Sequence, residues 1–396
     1  MTNMKKDAWA RGTPIEANHY NHKGEPITRP AKEEPEPGKF LMVDLFCGCG
    51  GFSEGFKMAG FQTILGLDIH PPSMDTFQAN HPEASAIVGD IRMASDEMIV
   101  NCVRGHAVDV ISAGVPCQGF SLNNRKRHDA DERNFLFKEF IRVVNLLKPP
   151  VVLLENVSSL RAAAGGDFAR AISDAIGKSG YDVDCQVLNA VDYGVPQKRR
   201  RIFFIGLRKD LSFEWPSATH GADKLPITVW QAIGDLPQVG PAEVATEYES
   251  KPMSDYQRLM RAGAKKLLNH EAPNHPPEVI EKIRATKPGQ PMYPRFRQRI
   301  RLHPDEPSPT QVSGGIRPQF QFGHPKLPRG LTVRERCRIQ SFPDTYEVKG
   351  GIVQGRVQTG NAVPPLLAKA LAIEISNALH GVIAGIDTPA IPVLQP

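Results

Sequence analysis

The sequence contains no uninterrupted apolar run of about 18 residues, the length a helix needs to cross a bilayer, so no membrane span is expected. Lys5, Lys6 and Asp7 near the N-terminus are not followed by an apolar stretch, and no secretory leader is expected. Cysteine is sparse. The six residues, Cys47, Cys49, Cys102, Cys117, Cys185 and Cys337, form no CxxC pair and do not cluster with histidine at ligand spacing. A disulfide framework and a zinc site are therefore not expected, and a reduced, cytoplasmic protein is. Charge is also modest. Net +5 leans toward a polyanionic partner without identifying one.

What is present is enough apolar residue for a large core: 40% of 396 residues, or about two to three domains of ordinary size. Residues 1–38 carry six Lys/Arg, six Asp/Glu and five prolines, a composition expected of a disordered or loosely docked arm. From Phe40 the texture changes. FLMVD (40–44), QTILGLD (62–68), SAIVGD (85–90), VDVIS (108–112), PVVLLE (150–155) and RIFFIG (201–206) are short apolar runs. Such runs suit strands buried on both faces of a parallel sheet. Between them, Leu136, Phe140, Val143, Val144 and Leu147 recur on one helical face. The alternation predicts a doubly wound, mostly parallel α/β domain over 39–211. The rhythm fails over 212–328, which is Pro-rich and reads as a smaller, irregular domain. A segment 329–385, with a helix signal at 363–379, is expected to rejoin the main core, leaving 386–396 as a tail.

DLFCGCGGFSEGF (44–56) places Gly48, Gly50 and Gly51 where a first strand turns into a helix, so that backbone can approach a ligand closely. No Lys-Ser/Thr follows, so this is not a phosphate-gripping loop. Asp68, about 20 residues on, is placed to accept from a ribose, and Asp90 closes the next strand run. An adenosine-containing cofactor fits, as does a plain tight turn. In GVPCQGFS (114–121), Pro116 stiffens a loop that presents Cys117 at the carboxyl end of a strand, where such sheets bind ligands. Glu155 ends an apolar strand and is either a candidate proton donor or a carboxylate that simply leaves the sheet into solvent. In QKRRR (197–201), Arg199 and Arg201 fall on one side and Lys198 and Arg200 on the other, a pattern suited to phosphate and carbonyl recognition or to a solvated basic edge.

In this order, DLFCGCGGF, Gly89-Asp90, GVPCQGFS, ENV (155–157), QKRRR, LTVRERCRIQSFPD (331–344) and GNAVPP (360–365) closely resemble the bacterial DNA (cytosine-5) methyltransferases of restriction-modification systems. The resemblance covers about 40–211 and 307–375. It implies a Rossmann-like domain dependent on S-adenosyl-L-methionine, with a target-recognition domain in the insertion. It implies that Phe46 stacks on adenine and that Gly48, Gly50 and Gly51 admit the amino-acid end. Asp68 with Ile69 would take the ribose, and Asp90 with Ile91 the adenine amino group. Pro116, Leu136, Asn361 and Ala362 would complete the pocket. Many members have Glu where Asp68 stands, so the hold on the ribose is expected to be looser.

The resemblance further implies that Cys117 attacks C6 of a flipped cytosine, with Glu155 at N3, Arg201 at O2 and Arg199 favouring the thiolate. Gln118, Ser121, Arg125, Lys126 and Arg127 are expected to close over double-stranded DNA. RFRQRIR (295–301) puts Arg295, Arg297, Arg299 and Arg301 at period two, an arginine face for DNA on a strand or an exposed ladder at a sheet edge. Duplex DNA is the expected partner of a monomer that acts at the nucleoid, with no membrane or metal, either as part of a restriction-modification system whose endonuclease shares its site or as an orphan methylase. Transfer-RNA methylation, known in a branch with a shorter insertion, is the rival enzymatic reading. Operon repression by the arm is a minor added one. Nicotinamide oxidoreduction fits the glycine turn alone and leaves PCQ and ENV without a task.

Overall fold

The computed structural model describes residues 22–116, 134–221, 224–313 and 321–383. Cys117, Gln118, Ser121, Arg125, Lys126, Arg127, residues 1–21 and the tail 386–396 lie outside that set. The chain gathers into two compact units. The first comprises His22–Gly194, Arg199–Lys224 and Val363–Pro396; the second includes Val195–Lys198 and Leu225–Ala362.

The first unit is built on an eight-stranded sheet: β1 (Ile27–Arg29), β2 (Leu41–Leu45), β3 (Gln62–Asp68), β4 (Ser85–Val88), β5 (Val110–Ala113), β6 (Val151–Val157), β7 (Asp182–Asn189) and β8 (Arg200–Leu207). The spatial order is β1-β4-β3-β2-β5-β6-β8-β7. The five central strands from β4 to β6 are parallel, and β1, β8 and β7 pair antiparallel. The apolar runs became the buried strands. Two strands were not anticipated. β7 alternates exposed and half-buried residues, which marks an outer strand rather than a two-sided core strand. β1 lies within the expected arm, which is a correction. Ile27 pairs with Val88, Lys32 N donates to Pro82 O, and Arg104 joins Glu34, so 22–38 are docked.

Helices α1 (Gly51–Lys57), α2 (Pro71–Asn80), α3 (Asp96–Cys102), α4 (Asn134–Leu147) and α5 (Asp167–Lys178) connect these strands. Phe140, Val143 and Val144 of α4 are buried with Val43, Ile111 and Leu154 in one core cluster, as their shared helical face predicts. Reversal of strand order on either side of β2 and β5 makes the carboxyl ends of those strands the crevice in which α/β sheets bind ligands.

Among the described residues the second unit has no sheet of comparable size. It contains α6 (Val229–Ile233), α7 (Asp255–Arg261), α8 (Pro277–Ala285), α9 (Val333–Gln340) and α10 (Gly351–Asn361). Short parallel pairs join Ile300–Arg301 to Phe322–Gly323 and Ser308–Pro309 to Gln197–Lys198. Every residue of α9 is buried, although its sequence VRERCRIQ is highly charged. Paired charges make that burial tolerable. Arg329 meets Glu335 at 2.7 Å, while Arg338 meets Asp344 at 2.6 Å and Asp235 at 3.1 Å. Thr332 and Glu335 form a capping box at the start of α9. The chain then returns to the first unit as α11 (Pro365–Ile383). The division differs from the expected borders at 212, 328 and 329. Residues 329–362 belong with the insertion because α9 is tied by ion pairs to Asp235, and among the described residues the final helix returns to the first unit, against α1.

Candidate active site

The turn after β2 has an unusual backbone. Phe46 adopts φ 55°, a left-handed conformation that a bulky residue holds only where surrounding structure enforces it. Gly48 and Gly50 follow at φ 53° and 85°. Gly48 N donates to Asp68 Oδ2 at 2.9 Å, and His70 N donates to Asp68 Oδ1 at 2.8 Å. Each carboxylate oxygen at the end of β3 is thus anchored by one backbone N–H. Burial pushes the Asp68 carboxyl up, against the opposing pull of these two donors. A Cβ on Gly48 would meet nothing within 4 Å, so the outer face of the turn is open.

Asp90 lies two residues beyond β4 and is gripped by Arg92, whose Nε is 3.0 Å from each carboxylate oxygen. Arg92 holds the Asp90 carboxyl below its ordinary range. Ile91 is buried, while Ile69 and Leu136 are half-buried. Gly51 faces α11 rather than open space: a Cβ there would sit 2.3 Å from Val363 O. Asn361 ends α10 in the second unit, and Ala362 O accepts from Gln340 Nε2 at 2.5 Å.

Asp44 escaped the sequence reading. It is buried in β2 and accepts from Ser53 Oγ of α1 at 2.7 Å and from Ser112 Oγ of β5 at 2.8 Å. It therefore ties the strand before the glycine turn to the strand before the cysteine loop. Burial raises its carboxyl to about 6. A charged residue inside an apolar run was the available signal.

Three strand ends converge at Gly114, three residues before Cys117. A Cβ there would lie 3.7 Å from Phe46 O and 3.8 Å from Glu155 Oε2. Asn156, buried beside Glu155, donates Nδ2 to Val115 O at 3.2 Å and so holds the backbone that leads into the cysteine loop. This residue was visible in ENV, but its task was not. Pro116 is exposed. Glu155 Oε1 lies 2.7 Å from Arg201 Nε. The expected alternation in QKRRR is present: Gln197 and Arg199 are buried, Lys198 and Arg200 exposed. Arg199 is 2% exposed; burial pulls its guanidinium well down, nearby Arg201 adds to this, and Glu155 opposes it.

The arginine ladder of 295–301 is a correction. Only Ile300–Arg301 is strand. Phe296 N donates to Tyr293 O and Arg299 N to Phe296 O, so the segment folds into turns and the period-two face is lost. Arg295 and Arg297 are exposed, and Arg299 is buried. Arg301 donates to the carbonyls of Ile283, Arg284, Thr286, His324 and Lys326, closing the C-terminus of α8. Its guanidinium is spent on the protein's own backbone.

The model of the C-5 cytosine-specific DNA methylase family matches residues 40–377. The chain belongs to this family. It is similar to the type II methyltransferase M1.HphI of Haemophilus parahaemolyticus, at 38% identity over 83% of this chain and 85% of the relative. It is also similar to M.DdeI of Desulfomicrobium norvegicum, at 36% identity over 85% and 88%. Among solved structures it resembles a protein encoded within an E. coli prophage and described as a DNA modification methyltransferase (TM-score 0.72, 25% identity, 86% of this chain and 100% of that one). DNMT2 of Spodoptera frugiperda, with TM-score 0.57 and 16% identity over 85% of this chain and 100% of that one, shares the fold.

This C-5 cytosine methylase therefore methylates DNA with S-adenosylmethionine as donor. The glycine turn fits that cofactor. Its outer face is open at Gly48, and both Asp68 oxygens are already oriented by backbone donors while the residue stays half-buried.

Proposed function

We propose that this methyltransferase acts through a covalent bond between Cys117 and C6 of a cytosine flipped out of a specific duplex sequence. The observation that carries the reading is the Glu155–Arg201 pair at 2.7 Å, set at the end of β6 against Gly114. A carboxyl and a guanidinium held side by side match the N3 and O2 edge of cytosine, and the chain from Gly114 reaches Cys117 in three residues.

A free thiol is mostly protonated at neutral pH and needs activation, for which Arg199 and Arg201 supply positive charge. The thiolate adds to C6 while Glu155 gives a proton to N3 and Arg201 holds O2. Electron density moves to C5, which becomes nucleophilic. Bound S-adenosylmethionine supplies an electrophilic methyl group. Water then takes the C5 proton, the C6–sulfur bond breaks, and Glu155 recovers its proton from N3. The base must leave the stack first, at a cost of a few kcal/mol.

For the cofactor we assign Phe46, Gly48, Gly50, Gly51, Asp68, Ile69, Asp90, Ile91, Pro116, Leu136, Asn361 and Ala362. Gln118, Ser121, Arg125, Lys126 and Arg127 are assigned to the flipped strand, with the exposed Arg295 and Arg297 on the phosphates. A monomer acting at the nucleoid beside an endonuclease of the same recognition sequence is the context suggested by the type II methyltransferases it resembles.

Duplex DNA carrying 5-fluorocytosine tests the chemistry, because fluorine cannot leave C5 as a proton does. Wild type is expected to form a denaturant-stable complex, and Cys117→Ala none, while cofactor binding survives in calorimetry. A stable complex with Cys117→Ala would sink the assignment.

A further inference from the structure

The docked segment 22–38 lies ahead of residue 40, where the match to the methylase family begins. Its strand, β1, pairs with β4 and runs antiparallel to it. The residues that lead into β1 therefore lie at the carboxyl end of β4, next to the ends of β3 and β4 that carry Asp68 and Asp90. Arg29 meets Asp75 of α2 at 2.7 Å, and Lys32 N donates to Pro82 O, so the rest of the segment is anchored away from that end.

Two contacts fix the leading residues. His22 N donates to Ile69 O at 2.8 Å. Pro26 is buried and lies so close to Gly89 that a Cβ there would stand 2.7 Å from Pro26 Cα and 2.9 Å from Pro26 Cβ. Between these contacts His22 Nε2 donates to Glu25 O at 2.7 Å and closes the segment on itself. The two residues it touches are chain neighbours of the two acids: Ile69 follows Asp68, and Gly89 precedes Asp90. Gly89 N also donates to Asp68 O at 3.0 Å. The ends of β3 and β4 are thus joined once directly and once through residues 22–26. Side chains that orient a ligand are only as well placed as the backbone that carries them, so a second bridge between two such ends bears on binding.

We propose that His22–Pro26 is a positioning element for the adenosine end of the cofactor, which sets the spacing between Asp68–Ile69 and Asp90. His22 and Pro26 act through Ile69 and Gly89. The proposal rests on the assignment of Asp68 to the ribose and Asp90 to the adenine, and not on the covalent role of Cys117. Asp68→Ala tests that assignment separately.

The full chain is measured well below its thermal transition. Calorimetry gives Kd for S-adenosylhomocysteine, and steady-state kinetics on unmethylated duplex DNA gives kcat and both KM values. His22→Pro removes the N–H that Ile69 O accepts. Pro26→Gly removes the ring against Gly89 and keeps the test available if His22→Pro does not fold. Each is expected to raise Kd for S-adenosylhomocysteine and KM for S-adenosylmethionine about three- to tenfold, as loss of one hydrogen bond does. kcat and KM for DNA stay at wild-type values, a split that a purely structural role would not produce. Adenosine, measured as a competitor, is expected to lose affinity by the same factor, because the change lies at the nucleoside end. Wild-type cofactor affinity in the folded variants overturns the proposal. So does a loss that spares adenosine, and so do equal losses in kcat, DNA affinity and cofactor affinity, which general damage produces. If Asp68→Ala binds S-adenosylhomocysteine as wild type does, the cofactor assignment itself falls, and the positioning role with it; if Asp68→Ala weakens binding and the two variants do not, only the positioning role falls.

Discussion

Arg201 reaches Glu155 diagonally. Across the antiparallel pair of β6 and β8, Arg201 sits opposite Val157, and Glu155 sits opposite Phe203. The guanidinium spans two residues along the same face to place Nε 2.7 Å from Oε1. Each of the two side chains is therefore held by the other as well as by its strand.

Glu155→Gln keeps the shape of this arrangement and removes its proton donor. Methyl transfer in a single-turnover quench is expected to fall about 10²- to 10⁴-fold. A fall of less than threefold would show that Glu155 does not handle the proton.

Asp44 makes stability depend on pH. Burial holds its folded carboxyl at about 6, above the ordinary value of 3.8. Between those values the folded state holds the proton more tightly than the unfolded chain, so stability falls as pH rises through the window. The stability lost across this window is about 3 kcal/mol at most. Urea titrations at pH 4, 5, 6 and 7 should show Asp44→Asn gaining on wild type as pH rises. Parallel curves for the two proteins would rule this out.

Gly55 on α1 has no room for a methyl group. A Cβ would stand 2.4 Å from Ala368 Cβ and 2.5 Å from Pro365 O of α11. Gly55→Ala should cost about 1–3 kcal/mol despite the higher helix propensity of alanine. Chemical denaturation measures this, and a stabilised variant would contradict the close approach of the two helices.

Arg301→Met strands five carbonyl contacts at and near the end of α8. A loss of about 2–4 kcal/mol is expected from several hydrogen bonds to one charged group. Calorimetry should show a Tm well below wild type. An unchanged Tm would mean that these bonds contribute nothing net.

The sequence by itself determined the sheet and its chemistry-bearing ends. Continuous apolar runs need two covered faces, and a glycine turn, a Pro-Cys loop and a terminal carboxylate in fixed order leave few other readings. It could not reveal that Ile27–Arg29 docks on β4, because a three-residue strand gains its stability from an edge that another segment provides. The arginines of 295–301 are the clearest case. Period two reads as one face, yet turns at Tyr293 and Phe296 send Arg301 to the end of α8 and bury Arg299 beside two rings. Which acceptors a long, charged side chain finds depends on carbonyls and rings distant in the chain, and only the tertiary structure decides that.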